Sequence, residues 1–223
     1  MSWTCTVRQQ CVLILGLTVC SVGTRLSRAG PLDPLTLVVH VYNYAAVRAE
    51  ILVHAEQHAA EVFLRAGIIL AWIDCPLSPN EVDIYPACKP GAASSTATLK
   101  TLNETMAAGY GLPFSKYGVT IQHHASFVFC ERAHDLANRN DLSEPVVLGQ
   151  IIAHELGHLV LGEGAHSDSG IMKEDLYVKD FRQAEKGRTP TFSTEQAQRI
   201  QARMLEGVAV VPSAHVGIHG HKR

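Results

Sequence analysis

The chain has 223 residues, 47% of them hydrophobic and 18% charged, with a formal net charge of −2. So small a charge argues against a nucleic-acid partner or an anionic membrane surface. The length suits one domain with a substantial core.

At the start, Arg8 precedes the apolar run Cys11-Val12-Leu13-Ile14-Leu15-Gly16-Leu17-Thr18-Val19-Cys20. An apolar stretch this short behind a basic start reads as an export signal, not a spanning helix. Ser21 and Gly23 are the small residues that cleavage after Gly23 needs, so residues 1–23 are expected to be removed, leaving −3 without Arg8 and no integral membrane span. Two alternatives stay open. One is a lipoprotein anchor at Cys20, against which Val19 is bulky; the other is an uncleaved membrane anchor. An export signal implies a secreted, periplasmic or cell-envelope protein.

Residues 31–210 then read as a single domain and 211–223 as a frayed tail. Residues 35–42, Leu-Thr-Leu-Val-Val-His-Val-Tyr, predict the first strand, and 45–66 a long helix stopped by Gly67. Residues 68–73 predict a second strand, giving a β-α-β crossover and so a parallel pair. His54 and His58 stand four apart on the long helix, but Glu50, Glu56 and Glu61 surround them, which reads as a solvated face rather than a metal site.

Cysteine usage fits export: Cys75 and Cys88 flank a Pro-rich loop that they can close as a disulfide, with Cys130 left as a small buried hydrophobe. Residues 89–95 read as loop and 96–108 as adding a short helix. Asn103-Glu104-Thr105 matches a glycosylation sequon, a weak three-residue signal. Residues 119–124 and 125–130 supply strands, the first at an edge of the sheet, followed by helical or irregular chain to 138. His123 and His124 point to opposite faces if extended, so they do not share one metal.

The run His154-Glu155-Leu156-Gly157-His158 carries most of the chemistry. Two histidines four apart lie on one helix face and reach one metal ion. Glu155 is placed to work on a metal-bound water without itself binding metal. Residues 145–153 lead into the motif as helix, with Pro145 near the first turn. Beyond Gly162 the chain can turn back and present His166 as a third ligand. Three protein ligands leave Zn²⁺ an open position, the catalytic arrangement. Asp168 and, more weakly, Glu163 are alternatives for that third place, because carboxylate oxygen also binds zinc. After residue 172, Ser193-Thr194-Glu195-Gln196 forms a capping box that opens a closing helix.

The continuation His166-Ser167-Asp168-Ser169-Gly170-Ile171-Met172 resembles the metzincin clan of zinc peptidases, and especially small bacterial matrixin-like proteins. The likeness covers residues 146–173 closely and the rest only in general layout. It implies an α+β, zincin/metzincin-like fold: a mixed twisted sheet, a long helix and an active-site helix, and a small C-terminal helical lobe. It also implies peptidase activity, a structural Met172 packed beneath the zinc site, and a tyrosine after the Met turn for which Tyr177 is a candidate at unfamiliar spacing. In the usual clan pattern Gly stands seven and the third His ten positions after the first His. Here Leu161 and Gly164 occupy those places, and Gly162 and His166 are the counterparts, so the connection is two residues longer.

The resulting expectation is an exported zinc endopeptidase in which His154, His158 and His166 hold Zn²⁺ and Glu155 is the catalytic base. Its substrate would be a protein or peptide lying extended against an edge strand. A zinc hydrolase of a non-peptide amide and a non-catalytic zinc-fold binding protein are the alternatives.

Overall fold

β-branched residues and leucines make β1 (Leu35–Asn43), whose alternation sends Leu37, Val39 and Val41 inward, each nearly fully buried. In the computed structural model residues 34–206 are described, apart from 79–80, 82–83, 90–94, 114–116, 122–124 and 163. The expected signal, the tail, His123, His124 and Glu163 lie outside the described residues. After β1, Asn43 fastens the turn: its Oδ1 accepts from Val47 N at 2.9 Å and its Nδ2 donates to Val47 O at 2.8 Å. α1 (Ala49–Leu64) follows, shorter at its start than expected because this turn, with Ala46 at φ 52°, holds the chain out of helix. Gly67, at φ 77°, then turns it into β2 (Ile68–Asp74).

β2 pairs parallel to β1, Leu35 opposite Ile68 through Val41 opposite Asp74, as the crossover requires. β3 (Thr96–Leu102) lies on the other side of β1, also parallel, and β5 (Ala125–Phe129) pairs parallel to β3. β4 (Gly118–Ile121) closes the sheet antiparallel to β5, giving the order β2-β1-β3-β5-β4 with β4 at an edge. The sheet is therefore mixed, and the edge position expected for residues 119–124 is where β4 stands.

One face of the sheet packs against α1 and against α4 (Glu144–Leu161), with α3 (Cys130–Asn140) leading into α4. α4 is buried along almost its whole length; Leu148, Ile151, Ile152 and Leu156 are each no more than 2% exposed. Each such side chain contributes about 1.5–3 kcal/mol relative to full exposure. A helix apolar on all sides is a central core helix. Among the described residues no helix is long and apolar enough to cross a membrane. The other face carries a smaller cluster of Leu102, Phe127 and Phe129 covered by α2 (Glu104–Gly109). α5 (Val178–Glu185) and α6 (Thr194–Leu205) form the small helical part that follows the motif helix.

Three local expectations are corrected. Residues 96–102 are strand, not helix: Thr96, Thr98 and Thr101 suit the pleated surface, and helix begins only where Asn103 caps it by accepting from Met106 N at 2.9 Å. Cys130 opens α3 instead of ending a strand, although its thiol is buried as expected and pushed up to about 12 by burial. Glu56 is not on a solvated face; it is 8% exposed and packed inward, while His54 is exposed and His58 half-buried. The Cys75–Cys88 disulfide is formed, with Cα atoms 5.8 Å apart. Its loop reaches His40 on β1 through the Ala87 backbone.

Candidate metal centre

Two turns of α4 and one loop build the site. His154 and His158, one turn apart, bring their Nε2 atoms to 3.0 Å and their ring centroids to 4.6 Å. His166 joins from the loop beyond the helix, its ring 4.6 Å from that of His158 and 5.7 Å from that of His154. Ligand atoms of the three all lie within 4.8 Å of one another, and among the described residues this is the group of His, Cys, Asp or Glu side chains that can share a metal ion. His154 is buried, His158 half-buried and His166 exposed, so the cluster opens outward.

The orientation of His154 is fixed from behind. Its Nδ1 lies 2.8 Å from the Ile171 carbonyl, which only accepts, so Nδ1 carries the proton and Nε2 turns into the cluster as an acceptor. Ile171 and Met172 form a turn tied down twice: Ser167 N donates to Met172 O at 2.8 Å, and Ile171 N to Thr191 O at 3.0 Å. Met172 is fully buried against Gly157, where a Cβ would overlap its sulfur. The glycine of the His-Glu-Leu-Gly-His run therefore admits the Met side chain beneath the helix turn that bears both histidines.

The longer connection does not prevent convergence. α4 ends at Leu161, where Arg203 and Arg199 on α6 donate to the otherwise unbonded carbonyls of Val160 (3.0 Å) and Leu161 (3.2 Å). Gln196, 5% exposed, clamps the His166 loop on both sides. Its Nε2 donates to Ala165 O at 3.0 Å and to Ser167 Oγ at 3.1 Å, while its Oε1 accepts from Ser193 N at 2.9 Å. All the bonding capacity of that amide nitrogen is used.

Glu155 is 6% exposed and lines a cleft of about 290 Å³ together with the three histidines. Residues 117–120, at the edge of the sheet, form one wall, and residues 174–176, just past the Met turn, also line it. Asp168 is exposed and outside the histidine cluster. Tyr177 stands at the start of α5, 53% exposed and beneath the ammonium groups of Lys173 and Lys179, and does not line the cleft.

Sequence reasoning missed Thr120, Ser126 and Gln196. Gln196 was legible only as the third member of a capping box, a local signal that carries no word of the distant loop its amide holds.

No protein-family model matches the chain, and neither does any curated protein. Among solved structures it is similar to the crystal structure of archaemetzincin from Methanopyrus kandleri, at 14% sequence identity over 80% of this chain and 99% of that one, with a TM-score of 0.44.

Proposed function

We propose that the protein is an exported, zinc-dependent endopeptidase of the metzincin kind. The observation that carries this reading is the convergence of three imidazoles beside a buried carboxylate on the next residue, in a cleft open along a sheet edge. The donor set fits zinc. Tetrahedral Zn²⁺ with N ligands at about 2.0–2.1 Å places those nitrogens about 3.3 Å apart, close to the 3.0 Å between the Nε2 atoms of His154 and His158. Bound there, zinc supplies Lewis acidity, lowering the pKa of a coordinated water toward about 7 and polarising the scissile carbonyl.

The chain's own residues do the rest. Glu155 accepts the proton of the attacking water and returns it to the leaving amine, acting as base and then acid. The Ile171 carbonyl keeps the His154 ring in its metal-binding tautomer, and Met172 forms the floor. β4 has no partner strand on its outer side among the described residues, and it borders the cleft. A peptide drawn alongside it would pair backbone to backbone and run past Glu155.

The test is incubation of zinc-loaded protein with a peptide library, with and without a chelator. Chelator-sensitive cleavage at internal bonds is expected. Zinc binding with no peptide cleaved, but with turnover of small amides, would move the assignment to a non-peptide hydrolase. No turnover of either would leave a zinc-fold binding protein.

A further inference from the structure

Glu155 is gripped from the sheet. Thr120 on β4 donates from Oγ1 to Glu155 Oε2 at 2.8 Å. Thr120 Oγ1 also lies 2.8 Å from the Glu155 main-chain carbonyl and 3.0 Å from Ser126 Oγ, and Ser126 Oγ is itself 2.9 Å from that carbonyl. Thr120 and Ser126 are directly opposed across the β4–β5 ladder, so both hydroxyls leave one rung on the face that meets α4. Two residues along that face, a Cβ on Gly118 would come within 2.7 Å of Glu155 Oε1.

The proton count decides how this group works. Each hydroxyl has one proton to donate. Ser126, fully buried, is placed to donate to the Glu155 carbonyl. Of the acceptors within 3.0 Å of Thr120 Oγ1, the ionised carboxylate is the strongest and takes its proton. A neutral hydroxyl holds the carboxylate by a charge-assisted hydrogen bond without cancelling its charge, as a lysine or arginine would. A glutamate side chain turns about three bonds, and a base is effective only in the orientation that meets its proton.

We propose that Thr120 is a positioning residue for the general base: its hydroxyl, backed by Ser126, fixes the Glu155 carboxylate through Oε2, in a slot that Gly118 leaves open. This rests on the peptidase reading for its catalytic consequence, but not for its geometric one.

The test pairs kinetics with a spectrum. Thr120→Val keeps the shape and strand preference of the residue and removes the donor; Thr120→Ser restores a hydroxyl. In zinc-loaded protein the valine variant should lose about tenfold in kcat, the worth of one charge-assisted hydrogen bond, with KM and zinc affinity unchanged, and the serine variant should recover most of the loss. In cobalt-substituted protein, whose visible bands respond to groups hydrogen-bonded at the open metal position, the valine variant should shift the bands in the same direction as Glu155→Gln. The serine variant should keep the parent spectrum. A valine variant with parental kcat and parental bands overturns the proposal, as does a loss in which zinc affinity falls in step with kcat. If the parent cleaves no peptide, the peptidase reading fails, and the cobalt spectra alone decide whether Thr120 holds Glu155.

Discussion

Glu56 makes the fold sensitive to pH. Its carboxyl is 8% exposed on α1, and Oε1 has no hydrogen-bond partner among the described residues. Burial first, and the nearby Asp74 carboxylate second, push it up from 4.5 to about 7. Between those two values the folded state holds the proton and the unfolded chain releases it. Stability from this group is therefore full below about pH 4.5 and falls as pH rises through 7. At about 1.4 kcal/mol for each unit of difference, the loss approaches roughly 3 kcal/mol by pH 8. Glu56→Gln keeps the shape and abolishes the ionisation. It should be within about 1 kcal/mol of the parent at pH 5 and more stable by about 3 kcal/mol at pH 8, or roughly 6–12 °C in Tm for a domain of this size. Urea unfolding of metal-free parent and variant from pH 5 to 8 measures this, and the difference between them cancels histidine titrations common to both. A gap that stays constant across that range would refute the reasoning.

Replacing Cys75 and Cys88 by serine should cost about 3 kcal/mol in urea unfolding, the chain-entropy value for a loop of this length, while zinc content stays at parental level. Zinc retained at full stoichiometry by His158→Ala, measured by elemental analysis, would count against the ligand set, because two imidazoles hold zinc poorly. Gln196→Ala frees the loop on both sides of His166. It should weaken zinc about tenfold in competition with a chelating indicator, and an unchanged affinity would show that the loop holds its shape without the clamp.

What the sequence revealed and what it hid follow from the range of the interactions. The helix bearing His154 and His158 was legible because its signals are local: a four-residue spacing, Pro145 at the first turn and an apolar run. The parallel β1–β2 pair was legible because the crossover rule fixes it. Residues 96–102 misled because threonines among small residues serve helix or strand, and only β1 alongside settles the choice. Glu56 misled for a related reason: three glutamates near one another look solvated until tertiary packing buries one of them near Asp74. Thr120, Ser126 and Gln196 were invisible, because each meets its partner across 29–35 residues of chain. Residue identity alone does not report such contacts.

The central claim is that metal and carboxylate share one chemistry, and Glu155→Gln separates them. The amide keeps the length of the side chain but neither accepts nor returns a proton, so turnover of a cleaved peptide by zinc-loaded variant should fall by roughly two or more orders of magnitude. One zinc should remain bound per chain, since no ligand is altered. A variant that cleaves as fast as the parent with its zinc in place would contradict the account.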